Sequence, residues 1–419
     1  MTQTTVTTPA APPAPAPSDG FGLAHCAAGV RNAKASEVRK VFAMSARPGM
    51  ISFASGMPEL GALPYEQLAE IAARLLRERG PEVMQYGAST GTPGLKEQIL
   101  RLMRLEGIED VDPGDVVVTT GSQNGLDLLT RILIDPGDVV LAESPSYSGA
   151  LAVFTGAQAE VVHVPSDGQG LLPDELERTI ARLQAQGRTI KFLYTIPSYQ
   201  NPGGTMLPQE RRDRVREICA DARVLVAEDN PYGLLGFDGV PARAMRADDQ
   251  DVVYLGSFSK MFAPGPRVGW AVLPSSLARI FGLQAEAAVL NPSVLTQEIV
   301  ASYLRETDWQ DTLERYRALY AGRAGVMMTG LREHMPEGVQ WTIPQGGFYS
   351  WLTLPAGVDS YELCTACIDR GVVFVPGTAF YADGRGHQEA RVSFCHPTEE
   401  RILEGTRILG ETLRTLLES

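Results

Sequence analysis

Cysteine is scarce in this chain: five in 419 residues, namely Cys26, Cys219, Cys364, Cys367 and Cys395. An odd, thinly spread set argues against a disulfide framework and fits a reducing compartment. Two of the five form a C-x-x-C in "DSYELCTACIDRG", but no second ligand pair stands near and the spacing falls inside an amphipathic helix pattern. Helix packing is expected there, not metal or redox chemistry. No run approaches the roughly 18 consecutive apolar residues that a membrane-crossing helix needs. Basic excess is missing too: 37 Lys and Arg stand against 50 Asp and Glu, a formal net charge of -13. That balance argues against nucleic acid or an anionic membrane as partner and leaves small metabolites. Residues 1–20, "MTQTTVTTPAAPPAPAPSDG", lack the basic start and apolar core of a secretory signal and read as a disordered tail. The cytoplasm is the expected location.

What is present is the composition of a soluble globular protein, 44% hydrophobic and 21% charged, in a chain long enough for two domains. From about residue 113, short β-rich runs precede helical stretches: "DVVVTTG" before "SQNGLDLLTRILI", "DVVLAES" before "YSGALAVFTGA", "TIKFLYTIP" before "PQERRDRVREICADA". "RVLVAEDN", "DVVYLGSFS" and "RVGWAVLP" follow as further runs. Such Val-, Ile- and Leu-rich runs between helices predict an α/β fold with a mostly parallel sheet covered on both faces. Residues 276–330 read as long helix, after which "VQWTIP", "GFYSWLTLP", "VVFVP" and "RVSFC" predict a smaller α+β C-terminal domain joined by that helix.

In open α/β sheets ligands bind beyond the carboxyl ends of the strands, and those positions are polar here. "TTGSQNGLDLL" sets Gly121 and Ser122 at a strand-to-helix turn, where free N–H groups and the helix dipole make an anion site; an ordinary N-cap at Ser122 is the alternative. Ser257, Ser259 and Arg267 add two hydroxyls and a permanent cation around a loop stiffened by Pro264, Gly265 and Pro266. Asp229 ends a buried strand, where a carboxylate needs a cation or strong donors; a protonated pyridine nitrogen is one such partner, and a structural cap of the next turn is the other reading. Lys260 sits among small residues, where desolvation favours the neutral amine that forms a Schiff base, although alone it would read as a surface lysine. Together these residues point to a pyridoxal phosphate site, with no metal.

The stretches "QYGASTGTPGLKEQI", "TTGSQNGLDLL", "PSYSGAL", "YQNPGG", "EDNPY" and "SFSKMFAPGPRVG" stand in one order and resemble the fold-type I, class I/II aminotransferases over about residues 40–415. They are most like the 2-aminoadipate, kynurenine and branched-chain subgroup. The resemblance implies a tail over 1–20, an N-terminal arm over 21–60 covering the substrate, a large cofactor-binding domain over 61–310 and a small domain over 311–419. It implies that Lys260 binds the cofactor and then moves the substrate α-proton, and that Asp229 holds the ring nitrogen. Asn201 and Tyr232 would meet the phenolic oxygen and Tyr147 would stack on the ring. Ser122, Gln123, Ser257, Ser259 and Arg267 would hold the phosphate, with Tyr86 reaching it from the other subunit of a homodimer. Arg391, in "EARVSFCH", matches the residue that grips the substrate α-carboxylate, with Asn201 and Gly56 beside it. Gly203 stands where the family has Thr, and Ser55 where many members have Gly.

The implied activity moves an amino group from an L-amino acid to a 2-oxo acid, with 2-oxoglutarate or pyruvate expected as acceptor. Donors expected from the subgroup are 2-aminoadipate, glutamate, aromatic or branched-chain amino acids. The same fold also hosts lyases, decarboxylases and oxidases, and a carboxylate-gripping Arg391 disfavours decarboxylation. A cofactor-sensing transcription regulator would need a winged helix that residues 1–45 do not supply. Arg31, Arg39 and Arg47 read as solvated cations, the alternative being that they meet a distal acidic group of the substrate.

Overall fold

The computed structural model describes residues 22, 25–31, 41, 44–45 and 47–418; the tail expected over 1–20 and Arg39 lie outside them. Residues 1–34 group as a unit of their own, whose described residues include one helical turn, Ala28–Arg31. In the second unit the strands are, in chain order, β1 (Ile51–Ser52), β2 (Val116–Thr119), β3 (Val139–Ser144), β4 (Glu160–Asp167), β5 (Gly170–Leu171), β6 (Ile190–Thr195) and β7 (Leu225–Asp229). They continue as β8 (Val253–Ser257), β9 (Gly269–Val272), β10 (Gln340–Trp341), β11 (Tyr349–Thr353), β12 (Val372–Val373), β13 (Val375–Pro376) and β14 (Glu389–Ser393).

An eight-stranded sheet runs in the order β2-β9-β8-β7-β6-β3-β4-β5. Its centre, β8, β7, β6, β3 and β4, is parallel. Every residue of β2, β8 and β9 is buried, as expected of a sheet covered on both faces. β9 runs antiparallel to both β2 and β8. The reversal has a simple cause: the segment 258–268 between β8 and β9 is too short to hold a crossover helix, so the chain must turn back. The helix Ser122–Leu133 begins three residues after β2 and buries Leu126, Leu128 and Leu129 against the sheet. The carboxyl ends of the parallel strands therefore face one open edge, joined there by the 258–268 loop.

The long helical stretch predicted over 276–330 is three helices, Ser275–Val289, Val294–Glu306 and Trp309–His334. Pro292 cannot continue the first, and Thr307, extended at φ -120° and ψ 161°, ends the second. Beyond them β10-β11-β14-β13 form an antiparallel sheet flanked by the helices Ser360–Asp369 and Glu399–Glu418. β1 pairs in parallel with β12, Ile51 opposite Val372, so the segment that precedes the large sheet is fastened to the C-terminal layer. Cys364 and Cys367 lie inside the helix Ser360–Asp369 with both thiols buried; Cys364 donates to the Phe374 carbonyl at 3.2 Å.

Candidate active site

A cavity of about 430 Å³ opens at the carboxyl edge of the parallel strands. β7 delivers Asp229, the turn after β6 delivers Asn201, and the loop leaving β8 delivers Ser257, Ser259, Lys260 and Arg267. From the start of the helix after β2 come Ser122 and Gln123, and from the turn after β3 comes Tyr147. Tyr232, Gly56 and Arg391 complete the wall. Tyr86 does not line it; its side chain is 77% exposed elsewhere on the same chain.

The end of the cavity around Ser122 and Arg267 is built on close backbone approach. Gly121, at φ 94°, caps the helix Ser122–Leu133, and Ser122 is the first helical residue with no capping bond from position 121. The simple N-cap alternative for Ser122 is therefore not how this helix starts. A Cβ on Gly121 would strike the Arg267 guanidinium, and a Cβ on Gly269 would lie 2.7 Å from Gly121 C and Ser122 N. Only glycines let β9 and the turn after β2 come this close. Arg267 itself takes φ 54°, a left-handed value rare outside glycine and typical of functional loops. Its guanidinium donates to the Thr120 carbonyl at 3.0 Å, and its backbone N–H closes the Pro264–Arg267 turn at 3.3 Å.

Lys260 Nζ donates to the Gly56 carbonyl at 2.8 Å and lies 5.5 Å from the centre of the Phe348 ring. Burial, reinforced by the Arg391 and Arg267 charges, pulls its pKa down to about 8. A lysine in this state is within reach of the neutral form at physiological pH. Asp229 is pushed the other way, up to about 6, because burial outweighs the hydrogen bond it accepts from Tyr194 at 2.7 Å. Burial beside Asp229 also lifts the Tyr147 phenol to about 12, so its hydroxyl stays protonated.

Arg391 sits on β14, opposite Trp351 of β11, and is 3% exposed. Nη1 donates to Asn201 Oδ1 at 2.9 Å and Nη2 to the Ala54 carbonyl at 2.8 Å. The guanidinium carbon lies 4.3 Å from the Tyr349 ring centre and 5.0 Å from that of Phe380, so two aromatic rings hold its plane. Its Nε has no hydrogen-bond partner among the described residues; nor have Asp229 Oδ1 and Gln123 Oε1. Each orphaned buried polar atom costs roughly 1–3 kcal/mol, which a ligand can recover. An acceptor on Asp229, a cation edge on Arg391 and a Gly-Ser-Arg anion cradle around an amine fit a phosphorylated, basic aromatic aldehyde together with a carboxylate substrate.

Residues 48–409 match the family model for aminotransferase class I and II. The chain belongs to that family. It is 36% identical over 406 residues to a 2-aminoadipate transaminase of Thermus thermophilus, covering 96% of this chain and 98% of the relative. It is 34% identical over 383 residues to aromatic-amino-acid aminotransferase 1 of Thermococcus litoralis, covering 91% and 92%. The crystal structure of a Pyrococcus horikoshii kynurenine aminotransferase, in complex with PMP and kynurenine as substrate, superimposes with a TM-score of 0.90 at 33% identity, over 94% of this chain and 98% of that one. The protein is a pyridoxal-phosphate-dependent transaminase of fold type I.

Other residues that no motif marks stand at or beside the cavity. Tyr194 meets Asp229 from β6; Tyr349 covers Arg391; Met57 and Ile196 line the cavity. A tyrosine inside an otherwise apolar strand was the available signal for Tyr194, because a buried phenol needs a partner. Among the described residues no helix is long and apolar enough to cross a membrane.

Proposed function

We propose that the enzyme transfers the amino group of an L-amino acid to a 2-oxo acid, with 2-oxoglutarate or pyruvate as acceptor, working in the cytoplasm as a homodimer. The donors we propose are 2-aminoadipate, glutamate, aromatic or branched-chain amino acids; three relatives carry aminoadipate, aromatic and kynurenine names. The observation that carries this reading is a depressed-pKa amine, Lys260, sharing one cavity with Arg391, whose Nε is open. An amine base and a carboxylate grip in one cavity are what proton removal from an amino-acid Cα requires.

Bound pyridoxal phosphate supplies an electron sink for the pair left on the substrate Cα when that carbon loses its proton. In our reading Ser122, Gln123, Ser257, Ser259 and Arg267 hold the phosphate, Asp229 Oδ1 accepts the ring N–H, and Tyr147 covers the ring face. Asn201 and Tyr232 meet the phenolic oxygen. Arg391 turns the substrate carboxylate so that the Cα–H bond faces Lys260, with Asn201 and the Gly56 backbone beside it. Lys260 is the point of attachment at rest and, once free, the base that carries the α-proton at Nζ. Tyr86 reaches the phosphate of the second subunit, and residues 21–60 cover the substrate.

Purified protein should absorb visible light, and Lys260→Ala should remove both that absorbance and turnover. Full transaminase activity in Lys260→Ala would sink the mechanism. A panel of amino donors run with and without 2-oxo acids fixes the substrate: amino-group transfer must depend on the acceptor, whereas a lyase, decarboxylase or oxidase would form product without it.

A further inference from the structure

Tyr194 lies in the middle of the parallel sheet, on β6, paired in register with Ala227 of β7. It is fully buried, and the edge of Phe154, 5.5 Å away at 72°, holds its ring. Its hydroxyl donates to Asp229 Oδ2 at 2.7 Å. The other oxygen of the same carboxylate, Oδ1, has no partner among the described residues, and Asp229 lines the active-site cavity. One oxygen is thus pinned from inside the sheet and the other is left for whatever enters.

We propose that Tyr194 is a positioning residue that orients Asp229 and keeps it ionised, so that Oδ1 is presented as an acceptor for the protonated ring nitrogen of the cofactor. The chemistry is direct. A phenol O–H donates only one bond and donates better to a carboxylate than to a carboxylic acid, so it favours the charged form. It also removes the freedom of the carboxylate to turn Oδ1 away. Burial and the Glu228 charge work against ionisation here, and the Tyr194 bond opposes them. Phe at this position would keep the packing against Phe154 and lose the donor alone.

The inference rests on Asp229 facing the ring nitrogen, and the experiment separates the two. Apoproteins of the wild type, Tyr194→Phe, Asp229→Asn and the double variant are titrated with pyridoxamine 5′-phosphate and with its analogue in which the ring nitrogen is carbon. Tyr194→Phe is expected to weaken the nitrogen-containing ligand by roughly 10-fold or more, the scale of a hydrogen bond to a charged group, and to leave the carbon analogue within about 2-fold. In the Asp229→Asn background the same change should add little, since the pair acts as one unit. Equal loss for both ligands, or no loss for either, overturns the proposal. If Asp229→Asn itself leaves the preference for the nitrogen ligand intact, the reading of Asp229 fails first and takes Tyr194 with it. Should Tyr194→Phe not fold because it strands a bare buried carboxylate, the double variant, which carries no charge there, must fold; an unfolded double variant would make Tyr194 a packing residue and overturn the proposal.

Discussion

An ammonium group is no base, and Lys260 can act as one only where its surroundings push the proton off. Burial in the cavity wall does that, helped by the Arg391 and Arg267 charges, bringing its pKa to about 8. In the apoprotein, competitive acylation against pH should therefore label Lys260 with a midpoint near 8, well below that of ordinary surface lysines. A midpoint above 10 would remove the physical basis for its role. Arg391 is specialised in another way, by its planar fork held between Tyr349 and Phe380. Arg391→Lys keeps the charge and loses the fork, so KM for the amino acid should rise roughly 10- to 100-fold while cofactor retention on desalting stays unchanged. Lys260, Asp229 and Arg267 were legible in the sequence because each stands at the end or the start of a run that reads as a strand, where ligands gather, and Asn201 through the stretch "YQNPGG". Tyr194 and Tyr349 were not, since each lies within a strand and its partner is set by cross-strand neighbours that no linear pattern reveals.

At the scale of elements, the loop 258–268 is an arch between two antiparallel strands, and its tolerance to change differs sharply along its length. Gly265 has open space where a Cβ would stand, so Gly265→Ala should be close to neutral, within about 0.5 kcal/mol in urea denaturation. Gly269 meets the backbone of Gly121 and Ser122, which cannot step aside as a side chain can. Gly269→Ala should pry β9 from the turn after β2 and release pyridoxal phosphate on gel filtration that the Gly265→Ala variant retains. Equal behaviour of the two variants would mean that the cradle is not shaped by this contact. The alternation of runs and helices showed the sheet and its parallel centre. The reversal at β9 follows from loop length, which the same sequence contains but a strand-by-strand reading passes over.

Two expectations belong to the molecule as a whole. Glu106 is buried with Tyr254 and Asn230 as hydrogen-bond donors, and burial lifts its pKa to about 8 from an ordinary 4.5. The folded chain then holds a proton that the unfolded chain has lost, so this contribution to stability is complete below about pH 4.5 and fades as pH rises through 8. Glu106→Gln can still accept from Tyr254 and donate to a turned Asn230, whose Oδ1 is otherwise without a partner among the described residues. Its apoprotein should gain on the wild type in thermal midpoint between pH 5 and pH 8; parallel curves would count against a protonated Glu106. The second expectation concerns the pair of subunits. If Tyr86 serves the neighbouring site, inactive Lys260→Ala and impaired Tyr86→Ala chains, refolded together, should recover about a quarter of wild-type activity through mixed dimers with one sound site each. Recovery no greater than that of Tyr86→Ala alone would keep Tyr86 within its own chain.

The placement of β2 has a bearing on how the chain is made. β2 is an edge strand whose one neighbour in the sheet is β9, so Val116 finds its partner only when Val272 has been synthesised. Until then the first strand of the large sheet, with the Gly121–Ser122 turn behind it, waits beside a half-built layer, and long-range pairing of this kind is slow to form. A ribosome-bound chain ending near residue 250 should leave the Val116–Thr119 amides open to hydrogen exchange, except that of Val118, which donates to the Thr90 carbonyl at 3.0 Å, and one long enough to carry β9 clear of the ribosome should protect them. Assembly of the proposed phosphate cradle is in this sense a late event in translation, although its first half is encoded early.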